Sequence, residues 1–472
     1  MSSSTLDRPI NIVFLGAGSM FCPNLCRDIL QIPGADRGQF RLCDLNPDRL
    51  TTMHQVVAKM IRETGREAGW TVCSNTDRRE ILPGADYAIC CVEVSGTSCV
   101  DFDNDIPLKY GIDQCIGDTL GPGGLFKGMR TVPVFLDILR DLAELAPNAF
   151  VLNYTNPMSL LILSAGRVFP QLRIVGLCHS VQDTSHRLAD YAGVPYDQMK
   201  WECAGINHLA WFTKLKHQGR DLYQTVLYEK FAREIEQGIK EADAGLASHD
   251  SRDDKNIAWQ QTDLVRKDMC LHFGAFITES SGHLSEYLPY YRKSDAGRKL
   301  LRTRYDGGSR FYATNWPNWR KKADEMRHRL TTGEEPIKLE RSWEYASYII
   351  EACEKDSPLR IHGNVMNHVA GAGQLITNLP ADGCVEVACM IDRNGVHPTR
   401  FGKLPPQMAH ICASNMAFFD LASTACIEKS RQAAIHALML DPLTQAVLTP
   451  GQIKQMTLEM FEAEGEFLPG FT

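Results

Sequence analysis

The sequence lacks the features that would place a protein in a membrane or on nucleic acid. No stretch of its 472 residues reaches the run of about 18 consecutive apolar residues that crosses a bilayer. The N-terminus has neither the basic region nor the apolar region of a secretory signal. The formal net charge is -7, so there is no basic surplus to bind nucleic acid or anionic lipid. These absences predict a cytoplasmic protein with no membrane and no nucleic-acid partner.

Internal repeats, low-complexity linkers and an obvious hinge are also missing. Hydrophobic residues make up 44% of the chain and charged residues 23%, which is ordinary for a globular protein. A chain of this length favours two domains that share an interface, and we place them at residues 1–195 and 196–472. The 16 cysteines, without a secretory signal, indicate reduced thiols, most of them in the core.

The first segments of the chain have the pattern of a dinucleotide-binding unit. Residues 10–15 form a short β-prone apolar run that ends at Gly16 and Gly18. A helix-compatible stretch follows, and a second candidate strand, residues 40–43, ends in Asp44. In such a unit the glycines let the backbone approach a pyrophosphate at a helix N-terminus, and the acid accepts the ribose hydroxyls. The pattern predicts a nucleotide cofactor.

One glycine of the usual three-glycine pattern is absent, because Phe21 stands in its place. A two-glycine turn also occurs in any tight strand-to-helix connection, so a purely structural turn is the alternative interpretation. Asp44 at the strand end, in place of a basic residue, favours NAD over NADP. The residues that we expect to contact the cofactor are Gly16, Gly18, Ser19, Met20, Asp44 and Asn153.

Strands and helices continue to alternate along the first part of the chain. Residues 85–92, 149–152 and 172–177 are candidate strands, and residues 129–145 and 159–167 are candidate helices between them. This alternation predicts an α/β fold with a Rossmann-like, doubly wound parallel sheet. Ligands of such sheets bind beyond the carboxyl ends of the strands. The remainder, where helix-prone stretches surround a candidate strand at residues 384–390, predicts a mixed α+β domain.

A thiol and an imidazole are the most informative polar groups in the chain. Cys178 follows the candidate strand 172–177, and His208 ends the segment Gly-Ile-Asn-His. Cysteine and histidine bind transition metals readily, but two ligands form an incomplete site. We expect a substrate to supply the remaining ligands. The alternatives are a buried apolar cysteine and a core histidine whose hydrogen bonds are satisfied.

A glycine-rich segment lies between two of the candidate strands. Residues 121–124 are all Gly or Pro, which commits the backbone to a specific loop. Asp118, just before this loop, is either a turn-capping acid or a catalytic group. Arg130, just after it, could hold a sugar hydroxyl or a carboxylate, and a surface salt bridge is the equally ordinary alternative.

Five of these segments together resemble glycoside hydrolase family 4. They are residues 16–19, 118–124, 153–158, 178–181 and 205–208, in this order. The resemblance extends nearly end to end, through Thr-Glu-Ser-Ser at 278–281 and Val-Glu-Val-Ala-Cys at 385–389. Cys-His-Ser-Val at 178–181 and Gly-Ile-Asn-His at 205–208 are most similar to the α-galactosidase branch. Branches that act on 6-phosphorylated sugars carry Cys-Asn-x-Pro or Cys-Asp-x-Pro at the first of these segments, which argues against a phosphosugar.

The resemblance implies an oxidative glycosidase mechanism that differs from the usual pair of carboxylates. NAD would take a hydride from C3 of the sugar, and a divalent metal, most typically Mn(II), would bind the C2 and C3 oxygens. A base would then remove the C2 proton, and the glycosidic oxygen would leave. Water would then add, and the bound NADH would give its hydride back to the sugar. Fold class and architecture would be those of lactate and malate dehydrogenases. The family also implies a homodimer or homotetramer.

The family's site residues transfer to this sequence with several departures. The implied metal ligands are Cys178 and His208. Lys267 occupies the position where several relatives present a tyrosine base, and Tyr287 is the reserve base. Another departure is Gly282, where relatives often have an acid. The further catalytic and substrate-binding residues that we predict are His179 as the acid for the leaving oxygen, Asp118, Arg130, Asn153 and Asn207.

Because of these departures, more than one sugar is compatible with the sequence. Lys267 and Arg130 could instead hold a carboxylate at C6, which would indicate an α-galacturonidase or an α-glucuronidase. A different class of function, an NAD-dependent hydroxy-acid dehydrogenase, would release NADH with its product. The cysteine content also leaves a nucleotide-binding redox sensor as a third interpretation.

Overall fold

The computed structural model describes residues 6–248, 260–371 and 373–472, so the first five residues of the N-terminal segment discussed above lie outside the described part. The helices in it are too short or too polar to cross a bilayer. All 16 cysteines are free, and most of them are buried as predicted.

Six parallel strands form one part of the main sheet, in the spatial order β3-β2-β1-β4-β5-β6. They are β1 (Ile10–Leu15), β2 (Gly38–Cys43), β3 (Trp70–Asn75), β4 (Tyr87–Cys90), β5 (Phe150–Asn153) and β6 (Arg173–Gly176). This order is that of a Rossmann-like doubly wound sheet, so the predicted fold class is confirmed. Sequence patterning missed β3, because this edge strand is largely polar and only partly buried.

Helices cover both faces of the parallel part, as crossover connections require. They are α1 (Phe21–Leu30), α2 (Pro47–Glu63), α3 (Val100–Lys109), α4 (Gly121–Leu145), α5 (Met158–Val168) and α6 (Ser180–Ala192). The predicted loop at residues 121–124 is in fact the first turn of α4. Glycine is needed there for close packing, because a Cβ on Gly124 would lie 2.3 Å from the carbonyl carbon of Thr119.

The second part of the chain extends the same sheet with antiparallel strands, in the order β6-β11-β14-β7-β8-β10. These strands and their short neighbours are β7 (Met199–Ile206), β8 (Leu209–His217), β9 (Arg220–Asp221), β10 (Phe276–Ile277), β11 (Leu359–Met366), β12 (His368–Val369), β13 (Gly373–Gln374), β14 (Cys384–Asp392) and β15 (Gly395–Pro398). The two parts therefore share one continuous sheet, and the domain boundary at residue 195, between α6 and β7, stays a prediction.

The remaining helices pack around the antiparallel strands and give the mixed α+β arrangement that we expected. They are α7 (Tyr228–Asp243), α8 (Leu264–Phe273), α9 (Ser281–Tyr287), α10 (Asp295–Arg298), α11 (Phe311–Thr332), α12 (Tyr345–Lys355), α13 (Pro406–Glu428), α14 (Arg431–Leu440), α15 (Pro442–Val447) and α16 (Pro450–Ala463).

The register of the parallel strands aligns their carboxyl ends. Leu15 pairs with Cys43 and with Cys90, and Cys90 pairs with Asn153, which pairs with Gly176. The polar residues that follow these strands therefore leave the sheet along one edge. This edge is where an open α/β sheet binds its ligands.

Candidate active site

The predicted metal ligands meet at the junction between the parallel and antiparallel strands. Cys178 Sγ lies 3.5 Å from His208 Nε2. Cys178 lies two residues after the end of β6, and His208 occupies the two-residue turn between β7 and β8. His208 is buried and has φ of 61°, a left-handed conformation that is uncommon for a side chain of this size. The hairpin thus presents the imidazole to the thiol.

The chemistry of this pair fits a transition metal. Burial, together with the neighbouring His283 ring, lowers the pKa of His208 to about 4, so its imidazole is neutral at neutral pH. A neutral imidazole and a thiolate are the ligands that such a metal binds. Within the part of the chain that the structure describes, no group of three or more His, Cys, Asp or Glu side chains could hold a metal ion. The pair alone leaves coordination positions for another molecule.

A cavity of about 850 Å³ opens in front of the pair. Its wall comes from the ends of β5 and β6, the β7–β8 turn, and the segments around α8, α9 and residues 304–306. The charged and imidazole side chains on this wall are Asp118, Cys178, His179, Asp183, Arg187, His208, Asp263, Arg266, Glu279, His283, Arg304 and Asp306. A polar cavity of this size suits a small hydroxylated molecule.

A second histidine lies against His208 and is held between two carboxylates. The His283 ring centroid is 4.5 Å from that of His208. His283 Nδ1 lies 3.0 Å from Glu279 Oε2, and Nε2 lies 3.2 Å from Asp118 Oδ1. Burial alone would lower the pKa of His283, but Glu279 and Asp118 raise it well above the ordinary value. The site therefore combines a neutral imidazole with a protonated one.

Asp118 faces the cavity as predicted, and its carboxylate is ionised. Burial opposes ionisation, but Lys127 and His283 hold the pKa of Asp118 well below its usual range. Asp118 belongs to the wall of the large cavity and also to that of a neighbouring one. It can therefore exchange a proton with a ligand at the boundary between them.

The structure corrects the assignment of Lys267 as the base. Its Nζ donates a hydrogen bond of 2.7 Å to the carbonyl oxygen of Thr262 and lies 2.8 Å from Glu234 Oε2. The ammonium also lies 4.8 Å from the centroid of the Tyr191 ring. Lys267 is not among the residues that line the large cavity. The helical periodicity of α8 explains the error, since a one-position difference turns a side chain by about 100°.

Two carboxylates near the start of α8 lie on the cavity wall instead. Asp263 has φ of 61°, and both its oxygens accept bonds from Arg266, at 2.6 and 2.7 Å. Burial works against ionisation, but Arg266 lowers the pKa of Asp263 to about 2. Asp306 Oδ1 accepts a bond of 2.9 Å from the Asp263 backbone N–H. Burial and the Asp263 charge raise the pKa of Asp306 to about 6.

The other two predicted catalytic side chains have different surroundings. His179 lines the cavity, and its side chain is 53% exposed, with Nδ1 4.0 Å from Glu344 Oε1. Tyr287 is fully buried behind the cavity, where its ring packs against His208 and His283. Burial raises the pKa of Tyr287 well above the usual value. Tyr287 does not line the cavity, and its role as the reserve base stays a prediction.

Arg130 does not reach the cavity, which corrects its assignment as a substrate ligand. Its guanidinium is buried between two carboxylates, with Nη2 2.7 Å from Asp103 Oδ2 and Nη1 in contact with Glu464. The ion pairs tie α4 to α3 and to the residue that follows α16. Arg130 is a structural residue.

The two predicted asparagines lie behind the wall. Asn153 Oδ1 accepts a bond from the Thr155 N–H, and its Nδ2 donates to the Thr155 carbonyl. It therefore shapes the turn that brings Tyr154 and Asn156 to the cavity, which corrects its assignment to direct ligand contact. Asn207 is fully buried beside His208, and neither atom of its amide has a hydrogen-bond partner.

The glycine turn after β1 opens onto a groove that fits a dinucleotide. Two cavities of about 340 and 620 Å³ share Gly16, Asp44, Val92 and Glu93. Gly16 has φ of 84°, and a Cβ there would lie 2.6 Å from the Cys91 carbonyl oxygen. The Gly18 N–H donates a bond of 2.7 Å to Asp44 Oδ2. The groove thus has the glycine approach and the anchored acid that a dinucleotide needs.

Ser19 also lines this groove, whereas Met20 precedes α1 without lining it. The groove and the large cavity are adjacent and share part of one wall. The shared residues are Phe21, Asp118, Tyr154, Asn156 and Tyr312. A molecule in the large cavity would therefore lie against the end of a cofactor in the groove.

Sequence reasoning missed Asp263, Arg266 and Glu279 as site residues. Glu279 lies in the Thr-Glu-Ser-Ser segment, which we noted without a role, and Asp263 lies four residues before Lys267. A backbone conformation separates Asp263 and Glu279, but not the helical Arg266, from neighbouring charges. His208, Asp263, Glu279 and Arg304 all line the cavity with positive φ.

Fold and site together define a Rossmann-like enzyme whose cofactor groove opens on a polar cavity with a thiol–imidazole pair. The chain belongs to family 4 of the glycosyl hydrolases. The model of "Family 4 glycosyl hydrolase" matches residues 11–194, and that of its C-terminal domain matches residues 203–444. The protein is therefore a glycosidase of this family, and the dehydrogenase and sensor alternatives are wrong.

Several relatives span the whole chain. An α-galactosidase of Bacillus subtilis (strain 168) is 34% identical over 98% of this chain and 99% of its own. An α-galacturonidase of Thermoanaerobacterium saccharolyticum is 28% identical over 98% of this chain and 97% of its own. A 6-phospho-α-glucosidase from gut microorganisms, crystallised with NAD and Mn²⁺, has the same fold, with a TM-score of 0.76, 21% identity and coverage of 98% and 100%. These proteins share the architecture and differ in their sugars.

Proposed function

We propose that this protein hydrolyses α-galactosides, with NAD and a divalent metal, Mn(II), as cofactors. The observation that carries the proposal is the wall shared by the dinucleotide groove and the cavity in front of Cys178 and His208. An oxidative glycosidase needs this adjacency, because the cofactor must reach the same sugar carbon whose oxygen binds the metal. The similarity to α-galactosidases and the NAD and Mn²⁺ in a protein of the same fold support the proposal.

Each cofactor has residues that would hold it. Cys178 and His208 would bind the metal, and Gly16, Gly18 and Asp44 would bind NAD. When bound, NAD supplies a reversible hydride acceptor for C3 of the sugar, and the metal supplies Lewis acidity at the C2 and C3 oxygens. The protein's own contribution is to orient the sugar, exclude water and move protons.

Proton transfers fall to carboxylates and a histidine on the cavity wall. Asp118, at the shared wall, lies where the hydroxyl of the oxidised carbon would be. We assign removal of the C2 proton to the Asp263–Asp306 pair, and no longer to Lys267. Of the two, Asp306 has a pKa near 6, in the range suited to a general base. His179, at the exposed side of the cavity, is the group that would protonate the leaving oxygen.

The charges on the wall favour a neutral sugar. The cavity is lined by five carboxyl groups, three guanidinium groups and the protonated His283, so the carboxyl groups outnumber the cations by one, and Arg266 is already paired with Asp263. A carboxylate or phosphate on C6 would add negative charge to this wall. α-Galacturonides are the second candidate, because Arg187 and Arg304 lie on the same wall and could hold a uronate.

The test is hydrolysis of matched aryl α-galactoside and α-galacturonide under reducing conditions. We expect turnover of the galactoside that requires both NAD and Mn(II), with exchange of the C2 hydrogen for solvent deuterium. A preference for the galacturonide would overturn the assigned sugar. Activity that survives complete removal of NAD and metal would overturn the mechanism.

Assembly and location follow from the family in the same way. We propose a homodimer or homotetramer in the cytoplasm. Light scattering coupled to size-exclusion chromatography would detect the assembly, and a monomeric mass for the fully active enzyme would contradict it.

A further inference from the structure

Lys127 is a buried cation at the shared wall that no step above uses. It lies on α4, its side chain is 9% exposed, and it lines the dinucleotide groove. Its Nζ lies 3.6 Å from Asp118 Oδ2 and 3.4 Å from Glu93 Oε2. The ammonium also lies 5.1 Å from the centroid of the Trp316 ring. A lysine is buried to this degree only where other groups compensate its charge.

The two oxygens of Asp118 have different partners. Oδ1 accepts a bond of 2.7 Å from Thr119 Oγ1 and lies 3.2 Å from His283 Nε2. Oδ2 faces Lys127 at ion-pair distance, longer than a normal hydrogen bond. A carboxylate oxygen can accept about two hydrogen bonds, so Oδ2 retains the capacity to bind a ligand hydroxyl. Lys127 is thus the cation that faces Oδ2, while Thr119 and His283 hold Oδ1.

We propose that Lys127 is a positioning residue for the oxidation step: its ammonium holds Asp118 Oδ2 at the shared wall, where Oδ2 accepts the hydroxyl proton of the sugar carbon that is oxidised. This inference rests on the proposed function. With NAD bound, the C–H bond would break and its electron pair would pass as hydride to the nicotinamide. The O–H bond would break, its proton would pass to Oδ2, and the carbonyl double bond would form.

Charge supports the same arrangement. Lys127 and His283 keep Asp118 ionised despite its burial, so the carboxylate is ready to receive a proton. The hydroxyl becomes acidic as the hydride leaves, which compensates for the weak basicity of Asp118. The charged or titratable groups that act on Asp118 include Lys127, His283, Glu93, Tyr287, Tyr305 and Tyr312. Of the cations, Lys127 is the one that faces the groove.

The chain offers a closely matched control for this test. Lys267 is also buried, pairs with a carboxylate at 2.8 Å and lies over an aromatic ring, but it lines neither cavity. We would compare Lys127→Met, Lys127→Gln and Lys127→Arg with Lys267→Met, as full-length enzymes with NAD and Mn(II). Circular dichroism would establish that each variant is folded, and fluorescence titration would give its NAD affinity.

We expect Lys127→Met and Lys127→Gln to lower kcat about 100-fold while KM and NAD affinity change less than about threefold, as for loss of a proton-transfer group. The primary isotope effect on kcat with substrate deuterated at C3 should rise, because oxidation becomes rate-limiting. Lys127→Arg should restore at least about a tenth of wild-type kcat, and Lys267→Met, whose charge acts on Asp263 and Asp306, should retain the wild-type C3 isotope effect.

Two results would overturn the inference. One is a folded Lys127 variant with the kcat and C3 isotope effect of the Lys267→Met control. The other is a variant whose loss lies in KM or in NAD affinity alone, which would make Lys127 a binding residue. Failure of the proposed function is visible separately, since the wild-type enzyme would then turn over no α-galactoside with NAD.

Discussion

Cys178 Sγ lies 3.5 Å from His208 Nε2 because a single row of paired residues crosses the sheet just before both side chains. Gly176 pairs with Asn364, Asn364 with Glu386, and Glu386 with Gly205. Each end of this row is followed within three residues by one member of the pair. The strand register of both parts of the chain, and not the local sequence, therefore sets the Cys178–His208 distance.

Removal of the Cys178 or the His208 side chain should abolish metal binding without unfolding the protein. Cys178→Ala and His208→Ala are expected to weaken Mn(II) by more than about 100-fold, since the loss of an outer-shell partner alone costs about 10–100-fold. Isothermal titration calorimetry measures this directly, and hydrolysis should fall with it. Cys426→Ala, a buried thiol outside the cavity, is the control. Unchanged Mn(II) affinity in both cavity variants would contradict the assigned metal site.

Exchange of the C2 hydrogen should depend on the carboxylate pair and not on Lys267. We expect Asp263→Asn and Asp306→Asn each to slow exchange at least about 100-fold, the usual contribution of a general base. Of the two variants, the one that loses more of the exchange rate identifies the residue that acts as the base. Lys267→Met should stay within about tenfold of the wild-type exchange rate, because its ammonium is directed to Glu234 and Thr262 and acts on Asp263 and Asp306 only through its charge. Proton NMR in deuterated buffer gives all three rates, and loss of exchange in Lys267→Met alone would restore the lysine.

The sequence was sufficient for contacts that are local in the chain. The turn at Gly16 and Gly18, the acid after β2 and the residues at the strand ends follow from patterns of a few residues. Lys267 was misplaced because the direction of a helical side chain depends on where the helix begins, and the left-handed Asp263 sets that start. Arg130 was misassigned because its partners lie 27 and 334 residues away. Such pairings exist only in the folded chain.

Loss of Arg130 should reduce stability and leave substrate affinity intact. Arg130→Met would leave Asp103 and Glu464 buried without their cation, and breaking a buried ion pair in this way costs about 3–5 kcal/mol. Arg140→Met, on the same helix, removes an exposed pair with Asp137 and should cost at most about 1 kcal/mol. Urea denaturation measures both. If Arg130→Met stays as stable as the wild type and its KM is raised, Arg130 binds the substrate after all.

Acid sensitivity should depend in part on His362, a buried histidine that lines neither the large cavity nor the dinucleotide groove. His362 is buried, its Nε2 has no hydrogen-bond partner, and burial together with Arg360 lowers its pKa to about 3. The unfolded chain binds a proton at this residue below about pH 6.5, whereas the folded protein binds it only near pH 3. Folding stability should therefore fall as the pH falls through this window, by up to about 1.4 kcal/mol per unit from this residue alone. In His362→Gln the free energy of unfolding should depend less steeply on pH between 6.5 and 4, although its value at neutral pH is lower. The exposed His410→Gln serves as the control, and equal slopes in the two variants would show that His362 is not the proton-linked group.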